Sequence, residues 1–472
     1  MIKELINIFT NKKHDSLLSH DAFFNELRDK EYARLDKKRH IYLDYTGGNL
    51  YAESQLMKHQ DMLKDNVFGN PHSTNPSSKL ATDLTENARK KVIEYFNAQD
   101  YFCIFTQNAS GALQIVGECY PFGMDSHFLL LADNHNSVNG IREYSKSKGG
   151  SFSYVPTYYD DLTIDQHQLL ESLQQYDNKK HKLFAYPAQS NVSGVKHDLS
   201  WIAKAQEFGW DVLLDAAAYV PSNTLDLQKV SPDFVSVSFY KIFGYPTGLG
   251  CLLVKKSKFN TLQKCWFAGG NVTMVAVLAP HHFLHDNHER FENGTINYLD
   301  IPAITIGLDF IESIGMKRIN ERVQSLIHYV YKELEHLQHD SGVKQLLLYG
   351  PKDRSKTGGT LIMSFINPDG SIIPFETIEQ LSNKVMISLR SGCFCNPGID
   401  EIFNCVTNQE LEQFFSGRTS GNYTDMFNFL QKMRGATRIS LGIATTKSDI
   451  DTFIDFVRSL KNKTIQGSFP AH

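Results

Sequence analysis

Lys241 is the residue whose surroundings most suggest chemistry. It lies in Ser236-Val-Ser-Phe-Tyr-Lys-Ile-Phe-Gly-Tyr-Pro-Thr-Gly-Leu-Gly250. Phe234, Val235, Val237 and Phe239, with serines between, read as a strand nearing its end. Glycines and a proline follow, so the backbone turns sharply with the lysine held at the turn. An amine between Tyr240 and the apolar pair Ile242 and Phe243 prefers to lose its proton, and a neutral amine is a nucleophile able to form a Schiff base. Taken alone, the stretch favours a lysine that snorkels to the surface. Its neighbours in space have to decide.

Four further stretches end strands with reactive or ligand-binding groups. Asp215 closes the apolar run Asp211-Val-Leu-Leu-Asp215, and a carboxylate there needs a partner, because burying it unpaired is costly. A protonated pyridine nitrogen or a structural arginine would serve. Asp215 precedes Lys241 by 26 residues (241 − 215), a separation that suits one crossover helix and the next strand. Thr106-Gln-Asn-Ala-Ser-Gly-Ala112 opens a helix with small residues, a natural seat for phosphate, or a plain N-cap at Asn108 or Ser110. His135, in Leu131-Ala-Asp-Asn-His-Asn-Ser137, either stacks on a flat cofactor or caps a helix. Arg390-Ser-Gly-Cys-Phe-Cys395 sets a thiol beside a cation suited to a carboxylate, with Arg438 as a second cation. Two cysteines are too few for a zinc or iron–sulfur site. His281, His282, His285 and His288 have helical spacing but no accompanying carboxylate–histidine signature, so no metal is expected.

The elements that must position these groups follow from the apolar pattern. Strands are expected at Tyr101–Phe105, Phe128–Ala132, Lys182–Tyr186 and Asp211–Asp215, with helices at Thr82–Phe96, from about Gly111 and at Ser200–Gly209. Repeated strand–helix alternation argues for a doubly wound α/β sheet, whose ligands sit at the carboxyl ends of its strands. Beyond Pro302 a helix through Ile306 and Ile314, helical residues 317–338, strands at Gly359–Phe365, Val385–Leu389 and Thr437–Leu441, and a last helix at Ser448–Leu460 suggest a smaller α+β domain. The expected division is a helical segment over 1–40, a large domain over 41–302 and a small C-terminal domain over 303–472. Residues 400–432 form an insertion without an assigned fold. The net charge of −4 gives no electrostatic case for nucleic acid. No apolar run is long enough to span a membrane, and the polar N-terminus does not resemble a signal peptide. Seven scattered cysteines suit reduced thiols in a cytoplasm.

Taken together the motifs resemble the class V aminotransferase, or cysteine desulfurase, group of pyridoxal-phosphate enzymes. They are most similar to the N-terminal domain of eukaryotic molybdenum cofactor sulfurases. The matching phrases are Tyr42-Leu-Asp-Tyr, Gly69-Asn-Pro-His-Ser, Asn134-His-Asn-Ser-Val, Ser238-Phe-Tyr-Lys-Ile-Phe-Gly, Phe291-Glu-Asn-Gly-Thr and Leu389-Arg-Ser-Gly-Cys-Phe-Cys-Asn-Pro-Gly. The resemblance implies a fold-type-I transferase and a homodimer that takes sulfur from L-cysteine or a related amino acid. Lys241 would then be the Schiff-base lysine, Asp215 the partner of the pyridine nitrogen and His135 the stacking ring. Ala109, Ser110 and Ser238 would lie at the phosphate, Asn191 near cofactor and substrate, and Thr295 at the phosphate of the neighbouring subunit. Cys395 occupies the position of the persulfide-forming cysteine, and Arg390 and Arg438 match arginines near the substrate carboxylate.

The chain also departs from that pattern. Tyr240 stands where many desulfurases have histidine, Ala218 replaces a glutamine that contacts the ring hydroxyl, and Asp400 stands near the place of a further cysteine. The sequence stops at His472, without the C-terminal sulfur-delivery domain expected of a full-length molybdenum cofactor sulfurase. Rival readings keep the cofactor but change the reaction, to a transaminase, epimerase or C–S lyase without a persulfide. A non-catalytic binding or scaffold descendant would form no Schiff base at all.

Overall fold

A seven-stranded sheet carries the first half of the chain. In the computed structural model, which describes residues 20–430, 432 and 435–466, its strands are β1 (Tyr101–Thr106), β2 (Ser126–Leu131), β3 (Ser151–Val155), β4 (His181–Pro187), β5 (Asp211–Asp215), β6 (Phe234–Ser238) and β7 (Gly250–Lys255). Their order is β3-β2-β4-β5-β6-β7-β1. β3, β2, β4, β5 and β6 pair parallel, and β7 runs antiparallel to both β6 and β1. The sheet is thus mixed but mostly parallel. Its central strands β2, β4 and β5 carry the apolar runs Phe128–Leu131, Leu183–Tyr186 and Val212–Leu214 because both faces are covered. Period-2 alternation sends Leu129, Leu131, Phe184, Val212, Leu214 and Val235 into one core and Phe128, Leu130, Leu183, Leu213 and Phe234 into another.

The crossover helix expected between Asp215 and Lys241 does not form. Residues 216–233 are turns and irregular chain, opened by Tyr219 and Val220 N–H bonds to the Ala216 carbonyl. Pro221 and Pro232 bracket the stretch, and neither can sit in a helix interior. Asp215 and Lys241 still reach one sheet edge, because β6 lies directly beside β5 with Asp215 opposite Ser236.

A second, antiparallel sheet is built from β8 (Leu346–Leu348), β9 (Thr360–Phe365), β10 (Arg390–Gly392) and β11 (Ala436–Ser440), in the order β8-β9-β11-β10. Helices Met316–Leu334, Phe375–Lys384 and Lys447–Ser459 contribute to its core. The strand expected over 385–389 shrinks to Ile387–Ser388, which pairs parallel with Ile41–Tyr42. The unassigned insertion is helical, with Asn408–Phe415 and Tyr423–Leu430 following Pro397–Phe403. Near the N-terminus residues 20–31 form a helix, tied down by Arg28 to Asp36 and Asp449. Residues 1–19 of the expected N-terminal segment lie outside the described residues.

The histidine run is not helical. His282–Leu284 is a strand paired with Val272–Val275, and His288 opens a 3-10 turn, so the four side chains do not share a helix face. Among the described residues no helix is long and apolar enough to cross a membrane.

Candidate active site

The carboxyl ends of the parallel strands converge on one cavity of about 130 Å³. β5 delivers Asp215, β6 delivers Ser238 and, one turn on, Lys241. The loop after β2 delivers His135, and that after β4 delivers Asn191. The loop after β1 contributes Asn108 and the start of the helix Ala109–Cys119. Ligands of open α/β sheets bind at this edge.

Lys241 sits in the short helix Phe239–Phe243, whose Phe239, Ile242 and Phe243 are buried. A glycine must end that helix. Gly244 has φ of +81°, and a Cβ there would run into the backbone of Leu50 and Tyr51. Among the described residues Lys241 Nζ has no hydrogen-bond or ion-pair partner. Burial lowers its pKa most, and the Arg438 and Arg390 cations push the same way, against the attraction of Asp215 and Asp44. The amine is therefore biased toward its neutral, nucleophilic form.

Asp215 is 8 % exposed. Its Oδ1 accepts from the Ala217 N–H at 3.0 Å and the Ser236 hydroxyl at 3.1 Å. Oδ2 has no such partner among the described residues, although Asp215 lines the cavity. His135 both caps a helix and faces the cavity: Nδ1 accepts from the Ser137 N–H at 3.1 Å. Burial, helped by Lys241 and opposed by Asp215, lowers its pKa, so the ring is held as neutral imidazole. Asn108 caps its own helix by accepting from the Gly111 N–H at 3.0 Å. The Ala109 N–H donates to Ser238 Oγ at 2.9 Å, and Ser110 Oγ lies 2.6 Å from Ser137 Oγ. Gly250 lets these parts meet, since a Cβ there would come within 2.5 Å of the Val237 carbonyl and 2.6 Å of the Asn108 backbone.

These groups fit pyridoxal phosphate. The unpartnered Asp215 Oδ2 suits a protonated ring nitrogen, the unpartnered Lys241 amine suits an aldehyde, and the hydroxyls of Ser110 and Ser238 gather at a helix N-terminus suited to a phosphate. Ala217 and Ala218 leave space in the wall, and Tyr240 lines it beside Lys241.

The second sheet brings its arginines to the same region through a residue that sequence reasoning passed over. Asp44, 8 % exposed, holds both. Arg438 Nη2 donates to Asp44 Oδ1 at 2.7 Å, and Arg390 donates to Oδ2 through Nε at 2.8 Å. Arg438 is 2 % exposed, also donates to the Asn191 carbonyl at 2.7 Å, and lies over the Phe394 ring. Arg390 is about half exposed. The signal for Asp44 was the one that flagged Asp215, a carboxylate after apolar strand residues, here Ile41 and Leu43. Cys395 is exposed and does not line the cavity. Its carbonyl accepts from the Asn136 N–H at 2.6 Å, next to His135. Thr295 is exposed, outside the cavity, and accepts a 3.4 Å bond from Asn70.

A cavity at this sheet edge lined by a buried lysine, a carboxylate and a helix N-terminus is suited to a pyridoxal-phosphate enzyme. Residues 41–453 match the family model for aminotransferase class-V, and the chain belongs to that family of pyridoxal-phosphate-dependent enzymes. Among individual proteins it is similar to the molybdenum cofactor sulfurase of Arabidopsis thaliana, at 36 % identity over 92 % of this chain and 58 % of the relative. The human molybdenum cofactor sulfurase is 35 % identical over 92 % of this chain and 51 % of its own length. The chain thus spans a little over half the length of these curated relatives. In fold it is similar to the apo cysteine desulfurase of Thermococcus onnurineus NA1, with a TM-score of 0.76 at 21 % identity over 92 % of this chain and 97 % of that one.

Proposed function

We propose that the protein is a cysteine desulfurase-like sulfurtransferase that takes sulfur from L-cysteine, releases alanine and leaves a persulfide on Cys395. The observation that carries this reading is a thiol-bearing loop hydrogen-bonded to the segments that supply His135 and Asn191 to the cofactor cavity. Its second support is similarity to molybdenum cofactor sulfurases over 92 % of the chain.

The bound cofactor supplies an electron sink for the substrate's α-carbon. Asp215 Oδ2 would pair with the ring nitrogen, His135 would lie against the ring, and Ala109, Ser110 and Ser238 would hold the phosphate. Arg390, assisted by Arg438 and Asn191, orients the substrate carboxylate. Lys241, whose pKa burial lowers, moves the α-proton. The Cys395 thiolate attacks the substrate sulfur: the carbon–sulfur bond breaks, a sulfur–sulfur bond forms, and the thiol proton is matched by the one that completes the methyl group of alanine. L-Cysteine and one thiol thus give alanine and one persulfide. The assembly is a cytoplasmic homodimer, in which exposed Thr295 of one copy serves the phosphate site of the other.

Replacing Cys395 by serine is expected to abolish persulfide and alanine formation while leaving the cofactor's absorbance band and its response to L-cysteine. An unchanged alanine yield would sink the mechanism and favour the C–S lyase or transaminase chemistry of other class V enzymes.

A further inference from the structure

The loop that carries Cys395 is held in a conformation that its own sequence does not favour. Phe394 and Cys395 have φ of +57° and +54°, and consecutive left-handed residues other than glycine are uncommon unless their surroundings hold them. Three groups do so. The Phe394 carbonyl accepts from Asn191 Nδ2 at 2.8 Å, and the Cys395 carbonyl accepts from the Asn136 N–H at 2.6 Å. Fully buried Asn396 donates through Nδ2 to Asp133 Oδ1 at 2.7 Å and to Asn191 Oδ1 at 3.1 Å.

Asp133 is the fixed point. It is fully buried, and its carboxylate also accepts from Ser190 Oγ at 2.8 Å and pairs with His197 Nε2 at 3.0 Å. The exit of the loop leans on the same stretch: a Cβ at Gly398 would overlap the Ala132 carbonyl. Residues 132–136 therefore grip residues 394–398 at several points, and that short segment also carries His135 into the cofactor cavity.

We propose that Asp133 and Asn396 are positioning residues for sulfur transfer, a clamp that makes the thiol-bearing loop and the His135 segment one rigid body. The proposal rests on the desulfurase reading and assigns it a mechanical element. A thiol on a free loop would have to be ordered in every turnover, whereas a clamped loop is already ordered. The clamp also explains why an exposed cysteine is flanked by a fully buried asparagine.

The test compares wild-type holoenzyme with Asn396→Asp and Gly398→Ala. Asn396 also caps the helix Pro397–Phe403, accepting from the Ile399 N–H at 3.4 Å, and aspartate caps as well as asparagine. A capping role alone therefore predicts that Asn396→Asp behaves like wild type. The clamp predicts the reverse, because a carboxylate at 396 faces the carboxylate of Asp133 and offers no amide donor. Two readouts are used: amide hydrogen exchange over residues 133–140 and 393–399, and the rate of the first-turnover alanine burst. In Asn396→Asp and Gly398→Ala, exchange at both segments should rise, roughly two- to tenfold for each hydrogen bond lost. The alanine burst should slow by on the order of 10- to 100-fold, while the absorbance change on adding L-cysteine keeps its rate. Wild-type exchange and burst in Asn396→Asp would overturn the clamp. Faster exchange in the variants, with no alanine from wild type, would instead fell the desulfurase reading and with it the clamp's role in sulfur transfer.

Discussion

Replacing Asp44 by asparagine removes one negative charge from beneath two cations, and the two legs of that bridge should respond very differently. Arg438 is 2 % exposed and sits 2.7 Å from Asp44 Oδ1. Breaking a buried pair by removing one partner costs about 3–5 kcal/mol, because the other charge is left uncompensated. The asparagine oxygen can still accept from one arginine, which returns about 1 kcal/mol. Arg390 is about half exposed, and a pair of that kind contributes about 0–1 kcal/mol. The expected loss for Asp44→Asn is therefore about 2–4 kcal/mol, nearly all of it from the Arg438 leg. At about 2.1 cal/mol/K per residue, unfolding 472 residues in one step carries roughly 1 kcal/mol/K, so the melting temperature should fall by about 2–4 °C. Arg390→Met should cost under about 1 °C by the same conversion. Scanning calorimetry on wild type and both variants measures the contrast. Equal losses in the two variants, or no loss in Asp44→Asn, would refute the assignment of Arg438 as the buried, charge-dependent strut.

Protonated lysine cannot attack an aldehyde, so capture of pyridoxal phosphate by the apoprotein, trapped with borohydride, must fail as pH drops through the Lys241 pKa. Burial lowers that pKa, so the failure should come at lower pH than for an ordinary lysine. Asp215→Asn removes an attraction for the ammonium form and should move the limb lower still, whereas Arg390→Met removes a repulsion and should move it up; shifts of the opposite sign would contradict the electrostatic account. Gly250→Ala should cost about 1–3 kcal/mol and weaken cofactor retention, because all three atoms that crowd the new Cβ are backbone. Gly269→Ala, which meets nothing within 4 Å, is the control and should be neutral in thermal melts.

What the sequence disclosed was governed by local pattern. A parallel strand buried on both faces must be a short apolar run, and a polar residue that ends one stands at the ligand-binding edge; that is how Asp215, His135 and Lys241 were found. The path from Asp215 to Lys241 was misread because spacing alone cannot tell a helix from a chain of turns, although Pro221 and Pro232 carried the information. The insertion after residue 400 was opaque for a different reason. Its helices are seven or eight residues long, too short for periodicity to speak. Asp44 and Asn396 were missed as functional residues because their partners lie far along the chain: Asp44 meets Arg390 across 346 residues and Asn396 meets Asp133 across 263. Nothing in a local window announces such a pair.

Those two long-range bonds have a common logic. Asp44 holds the arginines of the second sheet, and Asp133 holds the asparagine beside Cys395, so carboxylates from the first part of the chain fix groups from its last third. In each case the carboxylate is buried and multiply hydrogen-bonded, which makes it a poor reactant and a good anchor. The groups they hold are the ones that must meet a transient substrate: cations for a carboxylate, a thiol for a sulfur. Lys241 is held differently. It rides on the short helix that follows a strand of the main sheet, has no hydrogen-bond or ion-pair partner among the described residues and is biased toward its neutral form, as suits a group that must change bonding partners during a reaction. Rigidity has been placed in residues that do not react, and freedom left at the amine that does.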